Sequence, residues 1–330
     1  MRVALLALPG SMRSALAGLT DMFWLANQVI GQNQHATAPF ETQIVTATGK
    51  AVPDAQGRMI ESDGGFDERP DLIIASGMKL NEDKHPIDAE AVAQAAQWVK
   101  GCYAKGSVVA GACAGGFVLG EAGLLTDRIC TTTWWLFHSF RERYPRAKPV
   151  WGKALAEDRN VITTGGPLSW VDLTLHIVAN HAGKEIARLM ADMAVADSQP
   201  LSQQLYAPKG FLNSVDPLLT KAENLVRYQN PAITVEQLAA ALNMTPRTLH
   251  RKMRDLLQES PKSFITRVRI ESAITLLEVP GNSVSQVAFA CGYQDETVFR
   301  RAFSAVTGMS PARYKAWSRS RQNLPMEQGG

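Results

Sequence analysis

The sequence is poor in cysteine, and its cysteines form no recognisable framework. Cys102, Cys113, Cys130 and Cys291 make no CxxC pair, and no Cys/His cluster has zinc-ligand spacing. That argues against a disulfide-stapled secreted domain and against a structural metal. A reduced cytoplasmic protein with no metal and no cofactor is expected. Long hydrophobic runs are missing too: none reaches the roughly 18 apolar residues needed to span a bilayer, so no membrane partner is expected. The apolar opening from Met1 to Leu8 stops at Pro9-Gly10. It is too short for a signal peptide and suits a buried first strand followed by a loop. Neither sign of charge dominates, with 34 Lys+Arg against 31 Asp+Glu. The balance is uneven along the chain, however. Residues 1–220 carry 19 basic and 22 acidic side chains, and residues 221–330 carry 15 and 9. The net +6 of the last third suggests a polyanion-binding module, although a solvated basic surface would look the same.

The 330 residues suit two domains better than one. Residues 1–200 alternate strand and helix signals. Val3–Leu8, Thr42–Thr48, Asp71–Ser76, Ser107–Ala112 and Asn160–Thr164 read as strands. Helices are expected over Ala15–Ile30, Ala89–Lys100 and Ser169–His181. Apolar strands alternating with helices predict an α/β domain with a parallel sheet covered on both faces. The weakly periodic stretch from Pro200 to Asp216 punctuates the pattern, and 201–222 is taken as a linker. An all-α domain is expected over 223–318, with a disordered tail over 319–330.

The C-terminal region contains a degenerate repeat. Thr234-Val-Glu-Gln-Leu-Ala-Ala-Ala-Leu242 recurs 49 residues later as Ser283-Val-Ser-Gln-Val-Ala-Phe-Ala-Cys291. Thr234 with Gln237, and Ser283 with Gln286, have the spacing of capping boxes. Each helix then meets a residue tolerant of positive φ, Asn243 or Gly292. A second helix follows each turn. The first opens at Thr245-Pro246 and places Leu249, Met253 and Leu256 inward. The second places Phe299, Phe303 and Val306 inward. These positions match at an offset of 50, so the second turn should hold one extra residue. Arg247, His250, Arg251, Lys252 and Arg254 stand off the apolar face of one helix, Arg300 and Arg301 off the other. Two short helices joined by a tight turn, the second of them basic, make a helix-turn-helix. The pair is joined by a helix over about 261–277. A plain helical bundle with a basic surface is the competing interpretation, and the matched caps weigh against it.

Residues 223–317 resemble the AraC/XylS family of regulators. The resemblance rests on Arg269-Ile-Glu-Ser-Ala273, Cys291-Gly-Tyr293, Phe299-Arg-Arg-Ala-Phe303, Gly308-Met-Ser-Pro311 and Tyr314, besides the repeat. It implies that Arg247, His250 and Arg251 face bases from the first recognition helix, and Glu296, Thr297, Arg300 and Arg301 from the second. The chemistry agrees: Arg pairs bidentately with guanine, Glu accepts from cytosine, and Thr bonds or packs on thymine.

The chief chemical feature of the first domain is Val108-Val-Ala-Gly-Ala-Cys113-Ala-Gly-Gly-Phe117. A buried strand enters a small-residue turn and a helix begins at once, as in a nucleophile elbow. A cysteine beside a helix N-terminus is expected to favour thiolate, although a buried structural cysteine fits the local sequence equally well. The wider pattern resembles the PfpI-like, class I glutamine amidotransferase-like superfamily, whose fold is a flavodoxin-like parallel sheet. In particular it is similar to GlxA-type regulators, which fuse this fold to an AraC-type domain. The matching residues are Pro9-Gly10, Asp21, Asn27, Ala112-Cys-Ala-Gly-Gly116, Gly123-Leu-Leu125, Thr131-Thr-Thr-Trp134, Tyr144-Pro145, Thr163-Thr-Gly-Gly166 and Asp172.

Two departures bear on function. Active relatives often carry His directly after the elbow cysteine, where this chain has Ala114. Fused regulators often carry His where it has Thr133. A cysteine without a base is a poor hydrolase. Asp172 and His176 lie four apart and share a helix face, a pair more often structural than catalytic. The expectation is therefore a DNA-binding transcription regulator and not an enzyme. Its degenerate elbow, with Cys113, Ala114, Gly115, Thr133 and Trp134, would line the pocket for a small-molecule effector. The resemblance further implies a homodimer on double-stranded DNA, admits RNA polymerase as a partner, and suggests amines or amino-acid derivatives as effectors. Trp24, Trp134, Trp135, Trp151 and Trp170 include enough rings to cage a cation; ordinary core packing is the alternative use. The competing function is a cysteine-dependent amidase or peptidase tethered to DNA through the same C-terminal domain.

Overall fold

The computed structural model describes residues 1–33, 37–67, 69–197, 200–213 and 216–322, the side chains of 321 and 322 aside. The chain divides into two compact units, Met1–Gln203 and Gln204–Gly330.

In the first unit β1 (Arg2–Leu6), α1 (Arg13–Gln32), β2 (Glu41–Val45), β3 (Val52–Pro53), β4 (Met59–Ile60), β5 (Leu72–Ala75), α2 (Ala89–Ala104) and β6 (Val108–Ala112) come first. Then follow α3 (Gly116–Glu121), β7 (Ile129–Cys130), α4 (Phe137–Arg143), β8 (Lys148–Pro149), β9 (Leu155–Asp158), β10 (Val161–Thr164), α5 (Trp170–Ala182) and α6 (Lys184–Met193). The main sheet has the order β2-β1-β5-β6-β10-β9. It is parallel except for β9, which runs antiparallel to β10. Alternate strand residues feed two cores, as the two-residue period of a strand requires. Val3, Leu5, Leu72, Ile74 and Ala110 pack with α1, α5 and α6. Ala4, Leu6, Ile73, Ala75 and Val109 pack with α2, α3 and the start of α4. Coverage on both faces explains why the central strands are apolar without alternation. The flavodoxin-like α/β architecture expected from the sequence is therefore present. The edge strand β9 and the two-residue pairs β3–β4 and β7–β8 were not anticipated, because such short or charged segments carry no periodic signal.

In the second unit α7 (Pro217–Asn224) runs into a wide helical turn, Leu225–Gln229. Then come α8 (Val235–Ala241), α9 (Pro246–Leu257), α10 (Pro261–Glu278), α11 (Val284–Ala290), α12 (Glu296–Thr307) and α13 (Pro311–Gln322). The stretch 201–222, expected as a linker, thus contains the start of a helix. Asp216 caps it by accepting from Leu218 N at 2.8 Å, and Pro217 supplies the preset φ of the first helical position. Of the expected tail, residues 319–322 complete α13, while 323–330 lie outside the described residues. The axis of this unit is α10. Phe264, Ile265, Val268, Ile270, Ala273 and Leu277 bury it on several faces, against α8, α9, α11, α12 and α13.

Two arginines hold that axis by charge as well as packing. Arg267, 4% exposed, donates to Glu259 at 2.7 Å, Glu271 at 3.0 Å and Asn213 Oδ1 at 3.1 Å. Arg227 bridges Glu223 and Glu271, the latter at 2.7 Å, and donates to Ser272 Oγ at 3.0 Å. Asn213 Nδ2 closes the network on Glu223 at 2.8 Å. Burial works against both guanidinium charges, yet the adjoining carboxylates hold both pKa values above the usual value.

Candidate functional site

The elbow is built at the C-terminal edge of the parallel sheet, where α/β folds place ligands. Cys113 follows β6 with φ +54, a left-handed conformation that side chains adopt at a cost. The turn then passes so close to β5 that a Cβ on Gly115 would lie 2.0 Å from the carbonyl oxygen of Ala75. Gly115 is therefore required by close approach. Ala114 is buried in the core beneath α2 and α3. The thiol itself departs from the expectation of a thiolate. Burial pushes the Cys113 pKa up to about 11, although the backbone N–H groups of Ala114 and Gly166 lower it in part. Desolvation of a residue only 7% exposed outweighs the start of a six-residue helix. In the native full-length chain, iodoacetamide is expected to leave Cys113 unmodified at pH 7.5 while labelling it after denaturation. Rapid native labelling with a midpoint below pH 8, mapped by mass spectrometry, would contradict this.

Thr131–Thr133 close one side of the same site. Thr131 N donates to Thr163 Oγ1 at 2.8 Å, and Thr163 lies on β10 opposite Gly111 of β6. Gly165 and Gly166 join the two parts. Gly166 donates to the Cys113 sulfur, and a Cβ on Gly165 would sit 2.6 Å from Thr132 O. Thr132 and Thr133 are 3% and 0% exposed, and neither hydroxyl has a hydrogen-bond partner. A buried orphan hydroxyl costs about 1–3 kcal/mol. Such groups mark a place where a polar ligand would be stabilising. Trp134 and Trp135 follow directly, half-buried, with rings 5.4 Å apart and perpendicular.

The five tryptophans do not form one cage. Trp151 packs edge-on against Phe137 at 5.2 Å, close in sequence to Trp134 and Trp135. Trp170 packs over Gly18 of α1, and Trp24 is 61% exposed. His176 pairs with Glu157 of β9 at 2.6 Å and meets Asn180 at 3.2 Å. Burial and the nearby Asp197 raise the Asp172 pKa to about 6. Sequence reasoning missed Gln203, a buried side chain that touches the threonine segment. It lies in a stretch of weak periodicity where nothing distinguishes it.

In the second unit both helix-turn-helix units form with their local chemistry intact. Both capping boxes are present, Thr234 with Gln237 and Ser283 with Gln286. Asn243 and Gly292 take φ +56 and +80. Four residues, 242–245, separate α8 from α9, and five, 291–295, separate α11 from α12, which is the extra residue the shifted offset implied. The Gly292 turn presses against the entry to α8: a Cβ there would lie 2.2 Å from Pro231 O. Arg269 donates to Pro231 O and, at 3.0 Å, to Ile233 O, and lies 5.6 Å from the Tyr293 ring. The third inward positions are Leu257 and Thr307, not Leu256 and Val306, which are only half-buried. The i+4 spacing continues through both helices, and Thr307 tolerates burial because its hydroxyl donates to Phe303 O at 2.8 Å. Arg247, His250, Arg251, Thr297, Arg300 and Arg301 are exposed, and Glu296 is half-buried. Glu296 and Arg300 meet each other at 2.7 Å.

Comparison with known proteins agrees with both units. Residues 23–180 match the DJ-1/PfpI family, and residues 238–316 match a helix-turn-helix domain. The chain is 28% identical to the HTH-type transcriptional regulator CdhR of Pseudomonas aeruginosa, over 84% of this chain and 82% of that one. It is 25% identical to the HTH-type transcriptional regulator GlxA of Rhizobium meliloti, over 62% and 63%. A crystal structure of an AraC family transcriptional regulator from Pseudomonas putida superposes with TM-score 0.49 and 19% identity, over 58% of this chain and 98% of that one. The chain joins a DJ-1/PfpI domain to an AraC-type helix-turn-helix domain. It is a DNA-binding transcriptional regulator of this two-domain kind. Among the described residues no helix is long and apolar enough to cross a membrane, and no cluster of three or more His, Cys, Asp or Glu is placed to hold a metal.

Proposed function

We propose that the DJ-1/PfpI domain senses a small zwitterionic amine, an amino acid or an N-methylated derivative, and binds it without turning it over. The observation that carries this is the pair of buried, unpartnered hydroxyls on Thr132 and Thr133 beside the elbow. They offer donors to a carboxylate, and Trp134 and Trp135 offer ring faces to the cationic end. The pocket comprises Cys113, Ala114, Gly115, Thr133 and Trp134. A protonated thiol, with no base supplied at Ala114 or Thr133, supports binding over hydrolysis. The chain acts in the cytoplasm as a homodimer joined through its first domain and works with RNA polymerase, as the resemblance implies. Bases are read by Arg247, His250 and Arg251 from α9 and by Glu296, Thr297, Arg300 and Arg301 from α12.

Thermal-shift measurement of the full-length chain against free and N-methylated amino acids tests the reading. A ligand that binds only the folded state raises the melting temperature by mass action. Thr133→Val is expected to remove that rise, yet to stabilise the unliganded chain by about 1 kcal/mol, because an unpaired buried hydroxyl is gone. A panel without a hit would overturn the sensor. Ammonia release from amino-acid amides that disappears in Cys113→Ser would favour the amidase instead.

A further inference from the structure

Gln203 is the last residue of the first unit and is 6% exposed. Its side-chain amide bonds to the backbone of Thr132, Trp134 and Lys153. Nε2 donates to Thr132 O and to Lys153 O, both at 2.9 Å, and Oε1 accepts from Trp134 N at 2.9 Å. Its own N–H donates to Gly152 O at 2.8 Å, and the preceding Ser202 hydroxyl donates to the same oxygen at 3.0 Å. The amide lies where a side chain on residue 165 would go: a Cβ on Gly165 would sit 2.0 Å from Nε2. Two of the residues it grips, Thr132 and Trp134, flank Thr133.

Ten positions further on, the chain is fixed again. Asn213, 1% exposed, is bonded to Arg267 of α10 and to Glu223. Between the two anchors lie nine residues, 204–212, which span at most about 30 Å when extended. The first anchor lies in the proposed effector pocket and the second in the network that holds the axis of the DNA-binding unit.

We propose that Gln203 is a latch: the conformation of Thr132–Trp134 decides whether the connecting chain is held to the first unit, and pocket occupancy reaches the DNA-binding unit by this route. The mechanism rests on the sensor reading for its purpose but not for its test. A ligand that bonds the Thr133 hydroxyl would have to accommodate or displace the carbonyl of Thr132 and the amide of Trp134, the two groups that Gln203 holds. Gln203 is a positioning residue and is not proposed to touch the ligand.

Hydrogen exchange on the full-length chain without added ligand tests the latch. Gln203→Ala removes the side-chain bonds. Gly165→Ala expels the same amide from the other side and also crowds Thr132 O, 2.6 Å from the added Cβ. Each is expected to speed exchange of the Trp134 amide and of residues 204–212 by roughly tenfold or more, as loss of several cooperating hydrogen bonds implies. Strands β1, β5 and β6 should stay protected. The double variant should exchange more slowly than the sum of the two single effects requires, since both break the Gln203 bonds, whereas independent destabilisation would add. Unchanged exchange over 204–212 when Trp134 is deprotected would overturn the proposal, as would additive effects. Thermal shifts by amino acids, measured on Gln203→Ala, separate the two readings: a retained shift keeps the sensor whatever becomes of the latch.

Discussion

Arg267→Met is expected to unfold the second unit under conditions where the first remains folded. The guanidinium is 4% exposed and serves Glu259, Glu271 and Asn213 together. Methionine fills similar volume but leaves the two carboxylates short of a cation in a desolvated place. Breaking a buried ion pair from one side costs about 3–5 kcal/mol, a large part of the roughly 5–15 kcal/mol that holds a domain together. Calorimetry of the full-length chain should show the transition of residues 204–330 moving down by roughly 15 °C or more, with the other transition fixed. Arg267→Lys should rescue little, because one ammonium on a flexible stem cannot reproduce a planar fork aimed at three acceptors. An unmoved transition would mean that apolar packing around α10 suffices.

That network marks the limit of what the sequence displays. The helix-turn-helix units were legible because their signals are local. A capping box needs only four residues, and a positive-φ turn needs only one tolerant residue, so Thr234, Gln237, Asn243, Ser283, Gln286 and Gly292 could be found without knowing the fold. The inward face of each recognition helix was legible for two positions and then slipped by one. Leu256 and Leu257 are both apolar, and Thr307 is polar though wholly buried. Arg267 and Asn213 lie 54 residues apart, Arg227 and Glu271 lie 44 apart, and no spacing rule joins them. The elbow shows the same division. Its strand, small turn and helix are written in consecutive residues, but the protonation of Cys113 depends on burial by elements distant in sequence. Gln203 and the orphan hydroxyls became visible only once β10 and the segment after β7 had been brought together.

The two ends of the Glu296–Arg300 pair are expected to move DNA affinity in opposite directions. The acid holds the base at 2.7 Å, one helical turn away on α12. Their side chains are 33% and 45% exposed, so the pair itself contributes only a few tenths of a kcal/mol. Exchange for a DNA partner is therefore cheap. If α12 meets DNA as proposed, Glu296 would screen one cation of that helix and repel phosphates. Glu296→Ala should raise affinity for random-sequence DNA several-fold and steepen its salt dependence by up to about one unit of slope, as one more cation becomes available to phosphate. Arg300→Ala should lower affinity for a duplex selected by the wild-type chain by roughly tenfold to a hundredfold, the discrimination one bidentate arginine supplies. Fluorescence anisotropy over a salt series measures both. If Glu296→Ala instead weakened binding to selected and random DNA alike, the acid would serve as a structural strut for α12. A loss confined to the selected duplex would show that it reads a base directly. The pairing in the free protein fits an acid that reads a base on the selected duplex and, away from it, tempers the affinity of Arg300 for phosphate.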